Sequence, residues 1–99
     1  SLLENPQIQA CVELRNQILE VERKLETKQD RLLEIAKKAE RLTQRLAVSD
    51  DALVNSKWTA QLDKMTQEED VLEAEVPKLQ EEIDKLDDQL AEKFKVVSV

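Results

Sequence analysis

From Cys11 onward, apolar residues recur at alternating spacings of three and four: Cys11, Leu14, Ile18, Val21, Leu25, Leu32, Ile35, Ala39, Leu42 and Leu46, with Lys28 the single break. That spacing puts every member on one stripe of an α-helix and matches the core positions a and d of a coiled-coil heptad, with Cys11 at a and Leu14 at d. Asn5-Pro6 marks the start. An Asn side chain caps free backbone N–H groups, and Pro suits the first helical position because its missing N–H would be unpaired there anyway.

The stripe stops at Ala47-Val48-Ser49-Asp50-Asp51, where Ser and Asp favour turns and helix caps. A second stripe runs Trp58, Leu62, Met65, Glu69, Leu72, Val76, Leu79, Ile83, Leu86, Leu90, Lys93 and Val97, broken by Glu69 and Lys93. Ser49, Asp51, Asn55 and Ser56 are all able to cap the second helix, so its start falls within Asp50 to Lys57. Pro77 lies inside the stripe without resetting its phase. It removes one backbone hydrogen bond and crowds the carbonyl of Glu73, which predicts a kink near Glu73 to Val76 and not a break.

The expected architecture is all-α: a single antiparallel coiled-coil helical hairpin over residues 1–99, with helix 1 at about 6–47, a turn at about 48–56 and helix 2 at about 57–96. Charge at the edges of the stripes favours folding back over a straight rod. The g positions of helix 1 are Lys24, Arg31, Lys38 and Arg45, whereas those of helix 2 include Glu68, Glu75 and Glu82. In an antiparallel pair g faces g. With Leu46 opposite Trp58, Lys24 meets Glu82, Arg31 meets Glu75, Lys38 meets Glu68, and on the other edge Arg15 meets Asp87. This register sets Lys28 against Val76. A register displaced by one heptad sets Lys28 against Glu69 and needs a tighter turn from a chain without Gly, so the first is preferred.

Helix 1 also carries apolar residues off its stripe: Ile8, Val12, Leu19, Leu33 and Ala36. A second apolar flank on a helix whose seam is already used predicts a further helix packed there. A second copy would complete a four-helix bundle; a different protein would make a heteromeric contact. Trp58, beside the turn, reads first as a plug closing the hairpin and second as a contact for a partner.

Composition sharpens the function classes. Of the 99 residues, 37% are charged and 2% aromatic, and there is no Gly, His or Tyr. Without His there is no His general base, His metal ligand or Ser-His-Asp triad. Without Gly there is no glycine-rich phosphate loop. Cys11 sits at a core position and reads as a small packed residue; as the only Cys it makes no internal disulfide, which fits the cytoplasm or nucleus. The acidic runs Glu68-Glu69-Asp70, Glu81-Glu82 and Asp87-Asp88 read as solvated helix surface, because adjacent carboxylates on a helix point apart. Lys28 and Glu69 either fix the register or lay their stems along the seam with the charge at its edge. The net charge of −7 opposes binding to nucleic acid or an anionic membrane, and no apolar run approaches the ~20 residues that span a bilayer.

The expected function is therefore a non-enzymatic protein–protein interaction module, a scaffold segment or subunit of a larger complex. Its partner is another protein's helix or a homodimer mate, and it needs no cofactor or metal. The alternatives are a chaperone or cargo-holding arm, gripping clients through Leu2, Leu3, Phe94, Val96 and Val97 at the open end, or a small-GTPase effector hairpin. Such hairpins serve many roles, and no motif here selects among them.

Overall fold

A computed structural model describes the backbone over residues 4–98 and the side chains over residues 4–95. It consists of two helices, α1 (Pro6–Val48) and α2 (Ala52–Ser98), folded back on each other as an all-α hairpin. No strand occurs among the described residues.

Helix α1 begins where its cap predicts. The Asn5 Oδ1 accepts the Gln7 N–H at 2.9 Å, leaving Pro6 as the first helical residue. The turn is shorter than expected. It occupies residues 49–51 and not 48–56, and α2 starts at Ala52, within the range Asp50 to Lys57 that the possible caps allow but ahead of 57. Of the four possible caps Asp51 is the one used: its Oδ1 accepts the N–H groups of Leu53 at 3.0 Å and Val54 at 3.2 Å. Asn55, now inside the helix, donates its side-chain amide to the Ser49 carbonyl at 3.1 Å. The two helix ends are thus tied across the turn by one cap and one back-bond, and no described residue adopts a positive φ. A chain lacking Gly needs a turn of that kind.

Both stripes are the inward faces. The buried core comprises Cys11, Leu14, Ile18, Val21, Ile35 and Leu42, all at expected seam positions of α1. The remaining seam residues of α1 are half-buried, Lys28 included, as are those of α2 from Trp58 to Leu90. Lys93 is exposed, and the side chain of Val97 lies outside the described residues. Helix α2 continues through Pro77, as the unbroken phase of its stripe requires; the kink expected there is not established.

The hairpin divides into two units. One joins Ser1–Glu26 to Pro77–Val99, and the other is the continuous stretch Thr27–Val76. In the first unit, Ile8 and Phe94 line a common hollow; in the second, Gln29 lies with Glu73 and Arg45 with Gln61. Gln29 with Glu73 and Arg45 with Gln61 are pairs of the preferred register, whereas Lys38 with Gln61 in the same hollow as Arg45 is a pair of the register displaced by one heptad.

The ion pairs across the hairpin are not those expected from the preferred register, and Arg31 with Glu68 is the g-to-g pair of the register displaced by one heptad. Lys28 forms an ion pair with Glu75. Arg31 pairs with Glu68 instead, donating from Nε and Nη2 to its two carboxylate oxygens at 2.7 and 2.9 Å. Lys38 turns to Glu34 on its own helix at 2.9 Å. No ion pair joins Lys24 to Glu82 or Arg15 to Asp87 among the described residues. Lys28 lays its stem along the seam and places its ammonium at the edge, which occupies Glu75. Arg31 is paired with Glu68, one heptad nearer the turn than Glu75.

Candidate protein-docking surface

The off-seam residues of α1 divide between the two units. In the first unit Val12 and Leu19 are 49% and 47% exposed although neighbouring Cys11, Leu14 and Ile18 are buried. Val12 also lines a hollow of about 560 Å³ together with Ile8, Cys11, Arg15, Leu90 and Phe94. Its walls are apolar except for Arg15 and Asn16. Phe94 is 54% exposed and with Leu90 supplies the wall on α2.

In the second unit Leu33 is 62% exposed and Ala36 is exposed beside it. Both line a hollow of about 480 Å³ with Gln29, Leu32, Glu69 and Glu73. Its floor is aliphatic side chain from α1 and its far bank is carboxylate from α2. On the opposite edge of this unit a smaller hollow, about 210 Å³, has basic walls from Lys38, Arg41 and Arg45 around Leu42 and Met65.

Of the candidate contact residues, the structure thus brings Ile8 and Val12 together in the first unit and Leu33 and Ala36 together in the second. Leu19 is exposed without lining a described hollow, and Trp58 is half-buried in the second turn of α2. Sequence reasoning passed over Leu90 and Phe94 as partners of Ile8. The preferred register itself held that signal, since Ile8 and Phe94 occupy facing e positions. Val48, Leu53 and Val71, at 83%, 68% and 57% exposure, are further outward apolar residues that stripe counting did not single out.

The electrostatics centre on Arg31. Its hydrogen bonds to Glu68 and then to Glu34 hold the guanidinium more firmly in its charged form. Arg31 in turn holds the Glu68 carboxyl below its ordinary value, chiefly through the same hydrogen bonds. The Glu34 carboxyl is lowered first by Lys38 and then by Arg31. Arg31 is therefore the hub of a small network in the second unit.

Among the described residues no group of three or more His, Cys, Asp or Glu converges as a metal site would. No helix over those residues is long and apolar enough to cross a membrane. Comparison of the chain with protein-family models, with characterised proteins and with solved structures finds no significant match.

Proposed function

We propose that this hairpin is a non-enzymatic protein–protein interaction module, a scaffold element that joins a larger assembly through the outer flank of α1. The observation that carries the reading is the exposure of Val12, Leu19 and Leu33, at 49%, 47% and 62%, on a helix whose own seam is already occupied by α2. Covering three such side chains contributes roughly 1.5–3 kcal/mol each before the costs of association. Ile8 and Ala36 add to the patches in their respective units.

The test replaces Val12, Leu19 and Leu33 together by Gln. Circular dichroism of the variant retains its helix content, while pull-down of partners and any self-association are lost. A triple variant that still assembles and still captures every partner of the parent removes the flank from consideration.

A cargo-holding arm is the second reading, favoured by the apolar hollow of Ile8, Val12, Leu90 and Phe94. Of the residues expected to form its grip, Leu2 and Leu3 and the side chains of Val96 and Val97 lie outside the described residues; Phe94 is exposed as that role needs. Phe94→Ser separates the readings: loss of protection in a client-aggregation assay, with partner pull-down intact, favours the arm.

A further inference from the structure

We propose that the groove of the Thr27–Val76 unit, between the Leu32–Leu33–Ala36 floor and the Glu69–Glu73 bank, receives a basic amphipathic helix of another protein. This rests on the reading of the chain as an interaction module and gives the chemistry of its partner.

The two edges of this unit treat their carboxylates differently. On one edge Glu68 is held by Arg31 and Glu75 by Lys28. On the other edge no ion pair is described for Glu69 or Glu73, and no cation lines their groove. The sequence explains the contrast. Within this unit the g positions of α1 are Arg31, Lys38 and Arg45, but its e positions are Gln29, Ala36 and Thr43, which carry no charge. The carboxylates of the e edge therefore face aliphatic side chains and an amide where the g edge offers cations.

Glu69 is half-buried at a seam position, so part of its hydration is already lost. A carboxylate in that setting gains most from a cation brought in from outside. Asp70 and Glu40, exposed at b positions on the same side of their helices, extend the negative rim.

Shape and charge together select the occupant. A groove between two packed helices accepts the ridge of a third, with apolar anchors recurring at helical spacing. Leu33 and Ala36 supply the apolar complement, and Glu69 with Glu73 calls for Lys or Arg one turn away from the anchor. A second copy of this chain is disfavoured, because the same face would set one acidic rim against another on molecules of net charge −7. Nucleic acid and anionic lipid carry the wrong sign.

The test uses the whole chain and three fluorescent synthetic helical peptides. One has Leu along one face with Lys on both flanks; the second has Glu at every Lys position; the third has Ser at every Leu position. Fluorescence anisotropy is expected to show binding of the first alone, weakened by added salt. Glu69→Gln with Glu73→Gln is expected to weaken that binding about fivefold, the sum of two partly exposed ion pairs. Leu33→Gln weakens it independently, with helix content unchanged in both variants. Equal affinity for the Glu peptide, or undiminished affinity of the double Gln variant, overturns the proposal.

Sedimentation that finds the parent dimeric and the double Gln variant monomeric overturns it as well, because the occupant is then a second copy. The interaction reading fails separately. If the Val12, Leu19 and Leu33 triple variant loses its partners while the double Gln variant keeps them, the module stands and this groove is not its site.

Discussion

In the unit built from Ser1–Glu26 and Pro77–Val99, α1 buries Cys11, Leu14, Ile18 and Val21, with Ile18 fully covered. In the unit Thr27–Val76, α1 buries only Ile35 and Leu42, and its seam also contains Lys28 and Ala39 opposite a stretch that includes Glu69. The second unit carries the charge pairs that cross the hairpin, Lys28–Glu75 and the two-pronged Arg31–Glu68. The described ion pairs of the first unit, Arg23–Glu20, Lys85–Glu81 and Lys95–Glu92, run along a single helix. Apolar burial supplies most of the attraction between helices, whereas edge charges contribute little energy and mainly select orientation and register. One unit is accordingly built for adhesion and the other for specificity.

That contrast is broken most directly by cavity formation. Ile18→Ala is expected to cost about 2–5 kcal/mol in urea unfolding, since a fully covered side chain among three buried neighbours leaves a hole that collapses poorly. Ile35→Ala, at a site equally covered but flanked by half-buried Leu32 and Ala39, is expected to cost less. Equal costs would mean that the two units are packed alike.

Pro77→Ala is expected to stabilise the chain, by up to about 3 kcal/mol, through a restored backbone hydrogen bond to Glu73 and relief of the ring clash. A thermal melt reads this as a rise in Tm. A fall would show that the ring itself packs usefully at the start of the α2 segment of the first unit.

A smaller effect is expected at the charged edge. Arg31→Glu sets a like charge beside Glu68 and Glu34 and should lower Tm by a few degrees, with partial recovery when Glu68→Arg is added. High salt should narrow the gap between parent and variant. Absence of rescue would assign the loss to the stem of Arg31 and not to its charge.

The smallest effect is the acid limb of stability. The Glu68 and Glu34 carboxyls are held below their ordinary value of 4.5 when folded. Their contribution is therefore complete above that pH and disappears as pH falls below it through the lowered folded values. Thermal melts from neutral to acid pH should show a shallower acid decline for Arg31→Gln than for the parent. Parallel curves would mean that these carboxyls titrate alike in both states.

The seam was legible in the sequence because heptad spacing and burial share one cause, the geometry of helix against helix. Every seam position read on α1 from Cys11 to Leu46 is buried or half-buried. The start of α2 was not legible. Ser49, Asp51, Asn55 and Ser56 have similar capping chemistry, and nothing in their spacing distinguishes Asp51, the cap used, from Asn55, which bonds back to Ser49 instead. The ion pairs were legible in sign but not in partner, because Lys28 at a seam position takes the carboxylate assigned to Arg31, and Arg31 pairs one heptad nearer the turn. Val12, Leu19 and Leu33 were legible as an unused apolar flank. The Glu69–Glu73 bank opposite Leu33 was not, since it depends on which carboxylates the cations leave unpaired.

The three-residue turn at residues 49–51 also sets the order in which the hairpin can close. Thr27–Val76 is one uninterrupted stretch of chain, and its helices meet by zipping outward from a turn already tied by Asp51 and Asn55. The other unit joins the two ends of the chain, and closing it first would leave the whole of Thr27–Val76 as an unformed loop. Loop-closure entropy rises with the logarithm of loop length, so contacts near the turn form early and those at the open end late. The same methylene deletion then reads on different arms of a chevron plot: Ile35→Ala slows folding, while Ile18→Ala mainly hastens unfolding. The well-packed unit is then the latch that fixes the lifetime of the fold, and the charged unit is where folding begins.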